Sequence, residues 1–218
     1  MHNLEDFIAD LLLSIKAVKL QPHNPFVWAN GWNSPIYCDN NKINSSPRLR
    51  SIIKMELATT IAENFPECEV IAGVAPNAIA MGVLVAEELG VPFVFVHPHP
   101  KDHGFENMIE GDLKIRKKVV VLDDQVNVGI HTMTAIDAVK KSGCKVLGLV
   151  SIFDFELNES HEKFDKAQVT YLPLCTLSTI LRRAAEVNYI TEGELAGVRK
   201  WHNAPAKWKP SKKLGVRS

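Results

Sequence analysis

The sequence predicts an α/β fold in which helices cover both faces of a parallel sheet. Several short runs consist of apolar, mostly branched residues without polar alternation, which is typical of parallel strands buried on both sides. Segments with apolar residues at helical spacing follow two of these runs, as they do in βαβ units. The predicted strands are residues 70–74, 91–96, 119–122 and 145–153.

The helices are predicted from apolar spacing and from signals in their first turns. Pro47 lies in a first turn, where its missing N–H costs no hydrogen bond. Thr191 and Glu194 have the spacing of a capping box. The helices are predicted over residues 3–16, 47–64, 79–89 and 178–187, with others after residues 130 and 191.

The bulk composition limits the class of protein. The 218 residues are enough for a real core, and we predict a single domain over residues 1–218. Lys plus Arg and Asp plus Glu both number 25, so no basic field favours nucleic acid or an anionic membrane. Acids near the N-terminus and the lack of a long apolar run argue against a secretory signal and a membrane span. Four scattered cysteines without a CxxC pair indicate a reduced, cytoplasmic protein.

The most informative stretch is residues 119–132, VVVLDDQVNVGIHT. Asp123 and Asp124 are predicted at the end of a buried strand, and a loop over residues 125–130 leads into a helix. Ligands of open α/β sheets bind beyond the carboxyl ends of strands, where a helix N-terminus can hold an anion. Adjacent carboxylates there suit a ligand with several hydroxyls, or a hydrated Mg2+ beside a phosphate. The alternative is an ordinary βα turn whose acids only cap the helix.

This order resembles the motif with which type I phosphoribosyltransferases bind phosphoribosyl diphosphate (PRPP). The resemblance implies that Asp123 and Asp124 hold the ribose hydroxyls, and that Asp124 meets Mg2+ indirectly, through PRPP. It also implies the type I phosphoribosyltransferase fold, a parallel sheet flanked by helices with a small N-terminal hood. The following turn takes the 5-phosphate, and its residues here are Asn127, Val128, Gly129, Ile130, His131 and Thr132.

An early segment resembles orotate phosphoribosyltransferases more specifically. Residues 30–39, NGWNSPIYCD, are similar to the part of the hood that covers the base in that family. The resemblance places Tyr37 and Cys38 against orotate, and we assign the hood mainly to residues 17–45. A surface hairpin with buried aromatic side chains is the alternative.

A long polar segment carries the second family pattern. Residues 101–104, KDHG, followed by NMIEG at 107–111, are similar to the mobile catalytic loop of orotate phosphoribosyltransferases. A long loop of this kind in a compact domain is usually a lid or a binding loop. The resemblance implies that the loop closes over the ligand of the adjacent subunit of a homodimer, where Lys101 and His103 meet the pyrophosphate.

The resemblance implies an enzyme of pyrimidine biosynthesis. It transfers ribose 5-phosphate from PRPP to orotate, with Mg2+, and gives orotidine 5'-phosphate and pyrophosphate. Lys101, His103 and Asp124 are the implied catalytic residues. Pro76, Asn77 and His97 are at positions that meet pyrophosphate in the family.

Departures from the family pattern leave two other functions open. Residues 77–78 lack the Gly or Lys that is common in the family. Residues 97–98 are His and Pro, where the family commonly has Arg and then Lys. The turn over 125–131 has a single glycine, and Phe155 stands where many members carry an Arg for the carboxylate of orotate. These changes favour either a catalytically impaired protein of this fold, with a nucleotide-binding or regulatory role, or a transferase for another base.

Two minor features have alternative interpretations. His97 and His99 form an H-x-H pair close to His103, which is a pattern of zinc ligands, although no cysteine lies near them. The residues from 204 to 218 contain basic side chains and no acidic one. We expect a flexible, solvated tail there rather than a phosphate- or RNA-binding segment.

Overall fold

The computed structural model describes residues 3–28, 31–99 and 108–209 of the chain. These residues form two compact units, each described by itself. The larger unit covers residues 40–177, and the smaller one combines residues up to Asp39 with those from Ser178 onward. The single domain and the hood over residues 17–45 stay predictions.

The described residues form eight α-helices, ten strands and a short 3-10 turn at Pro205–Lys207. The helices are α1 (Leu4–Ser14), α2 (Asn41–Asn44), α3 (Pro47–Asn64), α4 (Ile79–Leu89), α5 (Ile130–Lys141), α6 (Asn158–Lys166), α7 (Leu177–Glu186) and α8 (Glu192–Asn203). The strands are β1 (Val18–Leu20), β2 (Phe26–Val27), β3 (Asn33–Ser34), β4 (Ile36–Cys38), β5 (Val70–Val74), β6 (Phe93–Val96), β7 (Ile109–Glu110), β8 (Lys118–Val126), β9 (Lys145–Asp154) and β10 (Tyr171–Thr176).

The larger unit is built on a six-stranded sheet with the order β10-β9-β8-β5-β6-β7. All neighbouring strands are parallel except β6 and β7, which are antiparallel. Every residue of β5 is buried, as is most of β8, because helices cover both faces of a parallel sheet. The predicted α/β class is confirmed.

The connections of this sheet run in two directions. The crossover from β5 through α4 to β6 moves toward one edge, whereas those through α5 and α6 move toward the other. Because such crossovers are right-handed, α4 and α5 lie on opposite faces. The direction therefore reverses between β5 and β8, and open α/β sheets bind their ligands at such a point.

The strand β8 is longer than predicted. It ends at Val126, whereas the sequence predicted a strand that ends at the two acids and a loop over residues 125–130. The last residues stay in the strand because they continue the parallel ladder with β9, as far as Val126 opposite Asp154. Asp123 and Asp124 consequently lie inside the strand rather than beyond it.

Four elements of the larger unit were not predicted, and the first of them is the four-residue helix α2. The short strand β7 lies in the segment predicted as one long loop, and it pairs with the end of β6. The edge strand β10 contains Pro173, which weakens a strand pattern in the sequence. The helix α6 carries mostly charged residues, and Ser160 and Phe164 are its buried ones. By contrast, α3, α4 and β5 have the predicted bounds.

The smaller unit contains α1, α8 and two antiparallel strand pairs, β1 with β4 and β2 with β3. Trp201 of α8 is fully buried, donates a hydrogen bond from Nε1 to the Asn33 carbonyl at 3.0 Å, and meets the Trp28 ring edge-on at 5.4 Å. The predicted capping box of Thr191 and Glu194 is present at the start of α8. These contacts hold the two ends of the chain together.

Among the described residues, every helix is too short or too polar to cross a membrane.

Candidate active site

A cavity of about 220 Å³ opens where the sheet order reverses. One wall comes from the end of β5 and the residues after it, 74–77. The facing wall comes from residues 123–125 of β8, and Asn127, His131 and Thr132 complete it. Of the predicted substrate-binding residues, the structure brings together Pro76, Asn77, both acids and part of the turn.

Asp123 is held rigidly in this cavity. Its side chain is buried, and its two oxygens accept hydrogen bonds from the Thr132 hydroxyl at 2.6 Å and from the backbone N–H of Asp124 at 2.9 Å. Burial raises its pKa to about 6, because a low-dielectric site disfavours the charged form. Thr132 therefore holds the Asp123 side chain in place as well as forming part of the turn.

A hydrogen bond holds the backbone of Asp124, and the surroundings of its side chain disfavour the charged form. The side-chain amide of Asn40 donates to the Asp124 carbonyl at 2.6 Å. Burial, and then the neighbouring charge of Asp123, raise the pKa of the Asp124 carboxyl well above its usual range. Hydrogen-bond donors such as sugar hydroxyls stabilise the charged form of a buried carboxyl. Two adjacent buried carboxyls that resist full ionisation are therefore suited to a ligand with several hydroxyls.

The turn after β8 is shaped by one glycine. Gly129 is the N-cap residue of α5 and has a left-handed conformation, with φ 72° and ψ 16°. A Cβ atom at this position would lie 3.0 Å from Ser160 Cβ and 3.3 Å from Phe164 Cζ, so a larger residue meets both strain and crowding. The helix then begins at Ile130, and its first N–H groups lack partners inside the helix. This end of α5 can hold an anion.

One backbone N–H group of the turn is already engaged by a side chain of the turn itself. The N–H of Val128 donates to the Asn127 side-chain oxygen at 2.6 Å, so that donor is engaged within the turn. Ile130 projects into solvent with 58% of its surface exposed, and His131 is exposed beside it. The donors left for an anion are backbone N–H groups rather than hydroxyls.

His97 and His99 have different neighbours in the structure. The backbone N–H of His97 donates a hydrogen bond to the Met108 carbonyl at 2.8 Å, and its imidazole Nε2 lies 3.8 Å from Glu110 Oε1. His97 is not part of the cavity wall. His99 instead meets His131, with ring centroids 6.0 Å apart. Among the described residues, no group of three or more His, Cys, Asp or Glu side chains is arranged to hold a metal. Lys101 and His103 lie outside the described residues.

The predicted base-binding residues lie in the smaller unit. Tyr37 and Cys38 are neighbours in β4 and therefore point to opposite faces of it. Tyr37 is 43% exposed and its ring centroid is 5.2 Å from that of Phe26, whereas Cys38 is buried. Their role in binding a base stays a prediction.

Phe155 is a core residue. It is buried and packs edge-on against Phe153 with the ring centroids 4.9 Å apart. Its N–H also continues the ladder by donating to the Val126 carbonyl at 2.9 Å. Apolar packing therefore occupies position 155, where the resemblance described above implies an Arg in many family members.

Sequence reasoning missed three residues that shape this site. Asn40 lies 84 positions from the carbonyl that it holds, so no local pattern could reveal it. Gln125 was placed in a loop, yet it lines the cavity, and its side-chain oxygen is buried without a hydrogen-bond partner. Lys163 donates a hydrogen bond to the Val128 carbonyl at 2.5 Å, and it lies in α6, a helix that the sequence did not predict.

Solved structures define the class of protein. The chain is similar to UMP synthase from Leishmania donovani, with a TM-score of 0.78 and 22% identity, over 92% of this chain and 42% of that one. It is also similar to orotate phosphoribosyltransferase from Aeropyrum pernix, with a TM-score of 0.69 and 23% identity, over 81% of this chain and 98% of that one. The fold is the type I phosphoribosyltransferase fold.

Comparison of sequences then gives the family. The chain is 45% identical over 95% of its length to orotate phosphoribosyltransferase from Porphyromonas gingivalis, 99% of which is covered. It is 44% identical over 97% of its length to the enzyme of that name from Phocaeicola vulgatus, which is covered completely. The chain belongs to the orotate phosphoribosyltransferase family. No protein-family model matches it.

Proposed function

We propose that this protein is an active orotate phosphoribosyltransferase in the cytoplasm. It breaks the bond between the anomeric carbon of PRPP and pyrophosphate and forms a bond from that carbon to a ring nitrogen of orotate. The observation that carries the proposal is the buried pair Asp123 and Asp124, set at the reversal of the sheet order and followed by a turn that leads into the N-terminus of α5. Membership of the family adds support.

The acid pair performs two tasks in this reaction. It accepts hydrogen bonds from the ribose hydroxyls and so orients the sugar. The sugar gains positive charge as pyrophosphate leaves, and a rigid carboxylate stabilises that charge without reorganising. Asp123 is suited to this because both of its oxygens are held by hydrogen bonds. The ionised form of Asp123 is favoured above its raised pKa, which is about 6.

The turn from Asn127 to Thr132 binds the 5-phosphate. Backbone N–H groups at the start of α5 donate to phosphate oxygens, and the helix dipole adds to their effect. Backbone donors do not depend on side-chain identity, which is why Val128 and Ile130 are tolerated where the family usually has Thr or Gly. Pro76 and Asn77, on the facing wall, lie where pyrophosphate would extend.

Mg2+ fits the donor set of the cavity, because carboxylate oxygens are the ligands that it prefers. Asp124 would meet the ion indirectly, through PRPP. When bound, Mg2+ neutralises part of the charge of pyrophosphate. In our proposal Lys101 and His103 neutralise the remainder, Tyr37 and Cys38 frame the base, and a homodimer completes each site.

A transferase for another base is the second candidate. The observation behind it is the burial of Phe155, which leaves position 155 without a cation for a carboxylate. Competition with uracil, which lacks the carboxylate of orotate, separates the two candidates. Turnover of orotate with no turnover of uracil supports the first candidate, and the reverse supports the second.

Calorimetry with PRPP and Mg2+ tests the proposal. We expect micromolar binding by the wild type and a loss of at least about tenfold in Asp124→Asn, because one buried acceptor of charge-assisted hydrogen bonds disappears. Asp137→Asn is the matched control, since it makes the same change at an exposed position of α5. Absence of binding by the wild type at millimolar PRPP would overturn the proposed function.

A further inference from the structure

One face of α6 supports the turn after β8 from behind. Ser160 and Phe164 are four residues apart, so both lie on the face of the helix that meets Gly129. Lys163, on the same side, donates a hydrogen bond from its ammonium group to the Val128 carbonyl at 2.5 Å. A hydrogen bond from Lys163 and the close approach of Ser160 and Phe164 thus set one helix against two adjacent residues of the turn.

The lysine contact fixes the direction of a neighbouring donor. In a trans peptide the carbonyl and the N–H point in opposite directions. Because Lys163 holds the Val128 carbonyl toward α6, the N–H of Gly129 in the same peptide points away from α6. Asn127 and His131, on either side of Gly129 in the turn, line the cavity, whereas Gly129 and the residues of α6 are not among its described lining residues. The side of the turn away from α6 is therefore the side nearer to the cavity.

This donor matters more here than in a hydroxyl-rich turn. The Val128 N–H is already engaged by Asn127, and neither Val128 nor Ile130 has a side chain that can donate. The backbone donors that remain are the Gly129 N–H and the first N–H groups of α5, beside the side chains of Asn127 and His131, which line the cavity. An ammonium group directly behind the turn also adds positive charge beside these donors, which favours an anion.

We propose that Lys163 is a positioning residue for the 5-phosphate of the substrate, which it serves by orienting the Val128–Gly129 peptide and by placing a positive charge behind it. The inference rests on the proposed function, because it assumes that this turn holds a phosphate. The ligand class is a sugar 5-phosphate. Pyrophosphate, which has no 5-phosphate, is not expected to depend on Lys163.

The test compares two ligands across matched variants. Binding of ribose 5-phosphate and of Mg2+-pyrophosphate is measured by calorimetry for the wild type, Lys163→Met and Lys163→Arg. Lys166→Met is the control, because Lys166 lies on the same helix, is 79% exposed at its side chain, and pairs with Glu162. Lys163→Gln, which keeps an N–H donor without the charge, replaces the Met variant if that variant does not fold.

We expect Lys163→Met to weaken ribose 5-phosphate binding by about tenfold or more, the effect of one hydrogen bond to a charged group. Pyrophosphate binding stays unchanged, Lys163→Arg recovers most of the lost affinity, and Lys166→Met behaves like the wild type. In the turnover assay the KM for PRPP rises while kcat changes little, as for a contact made equally in the ground and transition states.

Two results would overturn the inference while the proposed function stands. One is wild-type affinity of Lys163→Met for ribose 5-phosphate, and the other is an equal loss of affinity for both ligands, which indicates general damage to the fold. A wild-type protein that binds neither PRPP nor ribose 5-phosphate overturns the proposed function, and this inference with it.

Discussion

At the scale of single residues, the site concentrates groups that cost stability. Asp123 and Asp124 are adjacent, buried carboxyls whose pKa values burial raises. Gln125 beside them has a buried oxygen with no hydrogen-bond partner. Binding sites commonly contain such groups, because a residue arranged for a ligand is incompletely satisfied without one.

The first prediction concerns the pH dependence of stability. Because the pKa of Asp123 is about 6 in the folded chain and 3.8 is its ordinary value, the folded state binds a proton more tightly than the unfolded state. Its free energy of unfolding therefore falls as the pH rises through the window between these two values. Asp123→Asn removes this loss, so we expect it to be more stable than the wild type by about 3 kcal/mol near neutral pH.

Urea denaturation at several pH values measures this effect. The advantage of Asp123→Asn should shrink toward zero as the pH falls below about 4, where the wild-type carboxyl is protonated in both states. Asp137→Asn, an exposed change on α5, should show no such trend. An advantage of equal size at all pH values would contradict the explanation.

The second prediction concerns Gln125. Replacement by Leu removes a buried acceptor that has no partner, so we expect Gln125→Leu to raise the free energy of unfolding by about 1 kcal/mol. Gln21→Leu makes the same change at an exposed position and should have an effect close to zero. Thermal or urea denaturation of the two variants decides it, and a less stable Gln125→Leu would show that the amide is satisfied.

At the scale of elements, close packing decides where glycine is required. Gly148 lies in β9 at a point where a Cβ atom would approach Phe65 Cζ to 2.2 Å and the Thr170 carbonyl oxygen to 3.0 Å. The residue thus lets the end of α3 lie against the sheet. Gly193 in the first turn of α8, by contrast, has open space around it.

The third prediction uses this contrast. Gly148→Ala should destabilise the protein by about 1–3 kcal/mol through overpacking. Gly193→Ala should be neutral or stabilising by up to about 1 kcal/mol, since Ala favours a helix over Gly. The free energies of unfolding of both variants, and of Gly148→Ala combined with Phe65→Leu, are measured with urea. Partial rescue in the double variant is expected, because the aromatic ring is the group nearest to the added methyl; equal effects of the two alanines would contradict it.

At the scale of the whole molecule, the proposed homodimer predicts complementation between subunits. If Lys101 acts on the ligand of the adjacent subunit, Lys101→Ala and Asp124→Asn damage different parts of each site. Mixed and re-equilibrated, the two inactive variants should regain about a quarter of wild-type turnover, because half of the dimers are hybrids with one intact site of two. Sedimentation of the mixture shows whether hybrids form.

The control for complementation is a mixture in which both partners carry changes in the same part of the site. Lys101→Ala mixed with a variant of His103 should stay inactive. No recovery in the first mixture although hybrid dimers are present would show that Lys101 acts in the site of its own subunit. Recovery in the control mixture would show that Lys101 and His103 do not act in the same site.

Much of the fold could be predicted because the signals are local. The uninterrupted apolar residues of β5, the Pro in the first turn of α3 and the capping box of α8 each act through neighbours in the sequence. The elements that were missed depend on partners elsewhere. The strand β7 exists because β6 offers an edge, and the end of β8 stays extended because β9 runs beside it.

The same division applies to the site. The sequence alone determined the α/β class, the acids at 123–124 and the turn after them, since these depend on the order of residues along one strand and one helix. Only the tertiary structure decided that Asn40 holds the Asp124 carbonyl, that the Gln125 side-chain oxygen is buried without a partner and that Lys163 bonds the Val128 carbonyl. These contacts join positions far apart in the chain, and long-range packing of this kind leaves no periodic or local pattern from which it could be inferred.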